Sequence, residues 1–380
     1  MKNKGLIVAV LAIALMALGW WFWKGENQKS EDKEVVKIGA ILPLTGEAAN
    51  YGTRLKKGMD LAIKEINSDF SNPKIQIIYE DDKGIPNTGI SAYNKLRSIN
   101  NINYIIGGMF SNVALSLAPI AEKDKVILMS PTASAVEFSD FGDYVFRIYP
   151  SDIYDGDFLA NFANNELKIN NIAIVSVDAA STIEISRVFA EKFKSNGGVI
   201  SFTNNYKQGE KNFRTILQKL KSVESEVIFI PGYIEDIATL LKQAKELGVD
   251  KTFLTISTVY DKKIFDIAGD AAEGLIFSAP AYDVNSLTPE IQNFVKLYTK
   301  EYGETPDILA AYGYDVVKIS YQAIYKSPTS LNEIIKNLYN TKDYPGVTGT
   351  TSFDKNGDVI KQLKILTIKD NSFIEYNGKN

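Results

Sequence analysis

Residues 172–177 read Ile-Ala-Ile-Val-Ser-Val, and the helical stretch Ile183–Ser195 that follows stops at Asn196-Gly197-Gly198. A short unbroken apolar run bounded by turn signals reads as a buried strand, and glycine after a periodic run is a helix stop. The alternation continues through strand Val199–Phe202, helix Asn212–Lys221, strand Val227–Ile230 ahead of Pro231-Gly232, helix Asp236–Leu247 closed by Gly248, and strand Phe253–Ile256. This stretch decides the fold because the same pattern has already run once upstream. Val35–Leu42 (VVKIGAIL) ends at Pro43, and Thr53–Asn67 carries apolar residues at Leu55, Met59, Ala62, Ile63 and Ile66, a helical period. Strand Lys74–Tyr79, helix Thr88–Ile99, strand Tyr104–Ile106 into Gly107-Gly108, helix Asn112–Lys123 and strand Val126–Met129 before Pro131 complete that first run. Alternating strands and helices form parallel sheets with helices on both faces. Two such runs predict an α/β protein of two Rossmann-like lobes. Pro289–Tyr302, Ile308–Tyr325 and Leu331–Tyr339 add helices, and Gly349–Tyr376 reads as strands with turns at Lys355-Asn356-Gly357 and Lys369-Asp370-Asn371.

The composition narrows the function. The chain has 380 residues, 45% of them hydrophobic and 23% charged, with a net charge of −4. That balance is ordinary for a globular protein and gives no basic excess for nucleic acid. There are no cysteines, so disulfides, Cys-ligated metals and a lipid anchor on cysteine are excluded. There are no histidines, so a Ser-His-Asp or Cys-His catalytic unit and His-ligated zinc are excluded as well. Gly107-Gly108 is no phosphate loop, since no G-K-[ST] follows it. No enzyme activity, metal or cofactor is expected.

The N-terminus differs from the rest. Lys2 and Lys4 precede Gly5–Trp23, which contains no charged residue and rises roughly 28 Å as a helix, enough to cross a bilayer. Trp20-Trp21-Phe22-Trp23 resembles an aromatic belt, and the two lysines belong on the cytoplasmic side. Residues 1–24 read as a membrane anchor, with a cleaved signal peptide as the rival, and 25–34 as a linker. Either way residues 25–380 lie outside the cytoplasm.

Ligands of open parallel sheets sit beyond the carboxyl ends of the strands. The segments just after strands carry a family resemblance. Ile38-Gly39-Ala40-Ile41-Leu42-Pro43-Leu44-Thr45-Gly46, Tyr79-Glu80-Asp81-Asp82, Ile106-Gly107-Gly108-Met109-Phe110-Ser111 and Ser130-Pro131-Thr132-Ala133-Ser134 resemble stretches of the branched-chain amino-acid-binding proteins of ABC transporters. So do Tyr206–Phe213 and Ala268-Gly269-Asp270-Ala271-Ala272-Glu273-Gly274. The resemblance implies a type I periplasmic-binding fold with three crossovers near residues 150, 280 and 347. Lobe one then comprises 35–150 plus 281–346, and lobe two 151–280 plus 347–380. It also implies a solute receptor that closes on a small carboxylate-bearing ligand, an amino acid or related organic acid, and delivers it to permease subunits. A sensor module that signals through a membrane partner is the alternative.

The resemblance assigns ligand contacts to Ser111, Thr132 and Ser134, which would hold a carboxylate on lobe one, and to Tyr51 and Tyr233. Ser111 also reads as a helix cap, the other two as turn residues, and the tyrosines as loop packing. Ser181 stands where the family places an aromatic over the ligand, and Ser257 where it places an acid for the ligand's ammonium. An unpaired buried ammonium is costly. Asp152, Asp155, Asp178 and Asp261 are therefore candidates to replace that acid. Asp81-Asp82 reads as a structural loop pair, because adjacent residues of an extended segment face opposite sides.

Overall fold

The computed structural model describes residues 35–69, 73–327 and 330–378. The first lobe starts with β1 (Val36–Leu42), α1 (Ala49–Ser68), β2 (Ile75–Asp81), α2 (Pro86–Ser98), β3 (Tyr104–Gly107), α3 (Ser111–Asp124), β4 (Ile127–Ser130) and β5 (Val145–Arg147). Its five strands form a parallel sheet in the order β2-β1-β3-β4-β5. The chain then crosses into α4 (Asp152–Asn165), β6 (Asn171–Val177), α5 (Ala180–Ser195), β7 (Val199–Tyr206), α6 (Arg214–Ser222), β8 (Val227–Phe229), α7 (Ile234–Leu247), β9 (Thr252–Thr255), α8 (Lys263–Ala268) and β10 (Ile276–Pro280). It returns to lobe one as α9 (Pro289–Tyr302), α10 (Ile308–Tyr325) and α11 (Leu331–Tyr339). β11 (Tyr344–Gly346), β12 (Gly349–Phe353) and β13 (Val359–Lys361) make a separate three-stranded antiparallel sheet. β14 (Leu363–Lys369) and β15 (Ser372–Glu375) extend the second sheet antiparallel, in the order β15-β14-β10-β9-β8-β6-β7.

This is the two-lobed, doubly wound architecture that the repeated alternation predicts. The third crossing reaches lobe two later than the expected residue 347. Val347 and Phe353 belong to the lobe-one core, and the chain enters the second sheet only at Leu363. The expected membrane span, 5–23, lies outside the described residues. Among the described residues no helix is long and apolar enough to cross a membrane.

Strand periodicity builds a core on each face of each sheet. In β1, Ile38, Ala40 and Leu42 join one cluster while Ile41 joins the other. In β6, Ala173, Val175 and Val177 face one way and Ile172 and Ile174 the other. On lobe one, α1 and α10 cross in backbone contact. A Cβ at Gly58 would lie 1.9 Å from the Ala310 carbonyl oxygen, and one at Gly313 would lie 2.0 Å from that of Leu55.

Two buried charge networks fasten the small sheet to lobe one. Arg147 is 0% exposed, and its Nε donates to Asp358 Oδ1 at 2.6 Å. Its Nη1 donates to the Ala135 carbonyl at 2.7 Å and its Nη2 to Ser139 Oγ at 2.6 Å. Asp315 accepts from the Val347 and Thr348 amides at 2.9 and 2.8 Å and from Thr348 Oγ1. Lys361 Nζ donates to Thr348 Oγ1 and lies 3.9 Å from Asp315 Oδ2.

Candidate ligand-binding site

The loops beyond the strand ends meet the first crossing in a cavity of about 300 Å³ between the lobes. Lobe one contributes Tyr51, Met109, Phe110, Thr132, Ser134, Tyr149, Ile308, Leu309 and Tyr312. Across from them stand Asp152, Ile256, Ser257, Thr258 and Tyr260, with Pro280 at the second crossing. A concave, largely apolar hollow with a few convergent polar groups is the usual form of a small-molecule site. A larger hollow of about 600 Å³ opens at the opposite end of the second sheet, where Glu226, Asp250, Lys251 and Glu273 line it. None of the candidate ligand-contact residues reaches it.

The lobe-one wall is held by its own hydroxyls. Ser130 Oγ donates to the Gly108 carbonyl at 2.8 Å and accepts from the Ala133 amide at 3.0 Å. Thr132 Oγ1 donates to the Met109 carbonyl at 2.7 Å. These bonds tie the loop after β4 to the loop after β3. Ser111 is the first residue of α3 and does not cap it, because the cap position falls on Phe110. Its Oγ accepts from the Ser134 and Ala135 amides at 3.3 and 3.2 Å, behind the cavity wall. Tyr51, 44% exposed, forms the rim, edge-on to Phe110 with ring centroids 5.9 Å apart.

Lobe two supplies the acid. Asp152 opens α4, and its amide donates to the Ser134 carbonyl at 2.9 Å, which pins the crossing to the lobe-one loop. Burial, and the charge of Asp155 next to it, push the Asp152 carboxyl up to about 7. Ser134 and Arg147 oppose this rise and Glu137 adds to it. Asp155 is 6% exposed, and burial pushes its carboxyl up to about 6, with Ser278 acting against the shift. Among the described residues, Asp152 is the only charged side chain on the cavity wall.

The cavity therefore brings together Tyr51, Thr132, Ser134, Asp152 and Ser257. Ser111 stands one layer behind. Tyr233 immediately precedes α7, makes no side-chain cap bond and packs on the lobe-two core, and Ser181 lies in the first turn of α5; neither is on the wall. Exposed Asp178 and Asp261 also stay outside, the latter accepting from the Lys263 amide at 2.9 Å. Asp81 and Asp82 are structural, receiving the Leu44 amide at 2.8 Å and the Gly84 amide at 2.8 Å respectively. The sequence reading did not single out Tyr149, Tyr260, Ile308, Leu309 or Tyr312. Tyr149 and Tyr312 pack as a tilted pair with centroids 5.0 Å apart.

Residues 35–372 match the profile of the family described as "Periplasmic binding protein". The chain belongs to this family. It is similar to the leucine-, isoleucine-, valine-, threonine-, and alanine-binding protein of Pseudomonas aeruginosa, with 24% identity over 86% of this chain and 87% of that one. Among solved structures it is similar to a leucine binding protein, LivK, of Thermotoga maritima. That pair has a TM-score of 0.76 at 26% identity, covering 90% of this chain and 98% of the other. The fold is also shared with a solute binding protein of an ABC transporter from Rhodopseudomonas palustris in complex with 3,4-dihydroxybenzoic acid. There the TM-score is 0.73 at 24% identity, over 91% and 97% of the two chains. As a member, the chain is an extracytoplasmic solute-binding protein, and not an enzyme.

Proposed function

We propose that this periplasmic binding protein is the receptor of an importer for a small amino acid. Its carboxylate would be held by the hydroxyls and amides around Thr132 and Ser134, and its ammonium by Asp152. The lobes hinge shut on the ligand, the closed form is read by permease subunits, and the apolar segment 5–23 tethers the receptor to the membrane. The observation that carries this reading is the single acid, Asp152, on a wall without lysine or arginine. A carboxylate alone would meet like charge there, whereas a zwitterion offers the cation the acid needs. Asp152, on the same lobe, takes the place of the acid that the resemblance puts at Ser257.

The test is calorimetric titration with leucine, valine, threonine and phenylalanine against the matched acids that lack the amine. The amino acids should bind more tightly, and Asp152→Asn should cost them about 1.5–3 kcal/mol, the worth of a hydrogen bond to a charged group. The pH dependence has a defined sign. Asp152 must be ionised to take a cation, and its carboxyl titrates at about 7. Between about pH 6 and about pH 8 an amino acid should therefore bind more tightly as pH rises, while an acid without the amine binds less tightly. Equal affinity for the deaminated acids, or no pH dependence, would contradict the assignment. Ser111→Ala should weaken either kind of ligand by about 1–3 kcal/mol by releasing the Ser134 and Ala135 amides. Unchanged affinity in the same titration would leave Ser111 without a part in binding.

A further inference from the structure

The cavity floor carries a hydrogen-bonding group that the protein does not satisfy. Tyr312, on α10, is 0% exposed and lines the cavity, yet its Oη has no hydrogen-bond partner among the described residues. The ring is held in place: Tyr149 packs against it with centroids 5.0 Å apart, and Lys361 Nζ lies 5.3 Å from its centroid. A phenol oxygen sits on the axis of its ring, so Oη cannot reach another acceptor unless the ring itself moves. Asp155 lies near enough for its charge to act on Tyr312, and Asp155 Oδ1 is likewise buried without a partner. Buried polar groups in folded proteins are almost always paired, and an orphan on the wall of a cavity points to what fills the cavity. Met109, Ile308 and Leu309, on the same wall, are apolar and offer no partner.

We propose that Tyr312 is a specificity-determining residue whose Oη hydrogen-bonds a hydroxyl on the ligand's side chain or ring. The site then favours a hydroxyl-bearing ligand over the purely apolar ligand of the same shape. This rests on the reading of the cavity as the ligand site, and it adds a second polar anchor at the far end of the ligand. The physical basis is an asymmetry of recognition. An apolar pocket separates ligands weakly by one small group, whereas a buried polar group rejects an analogue that leaves it unpaired.

The test uses the purified full chain and matched pairs: valine with threonine, phenylalanine with tyrosine, and benzoate with 3,4-dihydroxybenzoate. In at least one pair the hydroxylated member should bind about tenfold more tightly, and Tyr312→Phe should abolish that preference while leaving the apolar member within about threefold. Tyr312→Phe should also leave the melting temperature of the free protein unchanged or raised, since it deletes an unpartnered hydroxyl. Three results overturn the proposal. One is equal or tighter binding of the apolar member in every pair that binds. Another is an equal loss for both members on substitution. The last is a marked fall in the melting temperature of free Tyr312→Phe, which would mean that the hydroxyl is satisfied without ligand. Binding of no member of any pair is a different failure, which removes the proposed function and this inference with it.

Discussion

Asp315→Ala should destabilise lobe one by about 3–5 kcal/mol, the usual cost of leaving one partner of a buried ion pair alone. Asp315 and Lys361 are each 1% exposed at the side chain, so water cannot replace the lost carboxylate. The substitution also strips the acceptor from the Val347 and Thr348 amides, which set the path of the third crossing. Urea unfolding at several pH values measures the effect, and the expected trend has a sign. Burial lowers the Lys361 amine from 10.5 to about 8, with Asp315 opposing the shift. Between those values the unfolded chain holds a proton that the folded chain has released, so wild-type stability gains from this group as pH rises. Without Asp315 the amine is neutral at still lower pH, so the cost of the substitution should shrink as pH rises toward about 8 and stay constant above it. The double variant Asp315→Leu with Lys361→Met should recover most of the loss, because well-packed apolar replacements of buried pairs are often neutral. A single-variant cost below about 1 kcal/mol, or a double variant no better than the single, would show that the pair does not act as a unit.

Lys361 also shows where sequence reasoning stopped. In β13 the inward positions are Val359 and Lys361, while Ile360 points out at 52% exposure. Period-two alternation read by hydrophobicity assigns Ile360 inward and Lys361 outward. Only the distant carboxylate on α10 makes the observed register favourable, and no local pattern encodes a partner so far along the chain. The parallel strands were legible for the opposite reason. Each is a short apolar run covered on both faces and bounded by turn residues, so local signal and tertiary environment agree. The cavity was half legible. Strand ends, where an open sheet exposes its ligands, marked the loops, and the family resemblance picked Thr132, Ser134 and Ser257 out of them. The helix wall did not announce itself. Ile308, Leu309 and Tyr312 lie in a run buried on nearly every face, which reads as core and gives no sign that one side lines a cleft. Asp152 stood among four acids of equal standing until the first crossing, an element without strong periodicity, brought it alone to the wall.

Arg147→Ala should cost about 3–5 kcal/mol by the same rule and, unlike the change at Asp315, should also weaken ligand binding. The difference lies in what the guanidinium holds. Its Nη1 and Nη2 grip the Ala135 carbonyl and Ser139 Oγ, both on the loop that presents Thr132 and Ser134. From the other side Ser111 Oγ takes the Ala135 amide. The loop is thus clamped between a helix start and a buried arginine, while Nε fixes Asp358 in the turn between β12 and β13. One side chain therefore joins half of the ligand wall to the crossing that follows it. Arg147→Lys should rescue little, because a single ammonium cannot reproduce three directed bonds from a planar fork. Urea unfolding and calorimetry on the same samples separate the two effects. If Arg147 only stabilised the fold, Arg147→Lys below its unfolding midpoint would bind ligand like wild type. If it positions the loop, affinity should fall in the folded protein as well. The second outcome is expected, because the loop's tethers at Ser111, Ser130 and Thr132 all pull toward α3 and β3, and only Arg147 and the Asp152 amide on Ser134, among the described contacts, draw it toward β5 and the hinge.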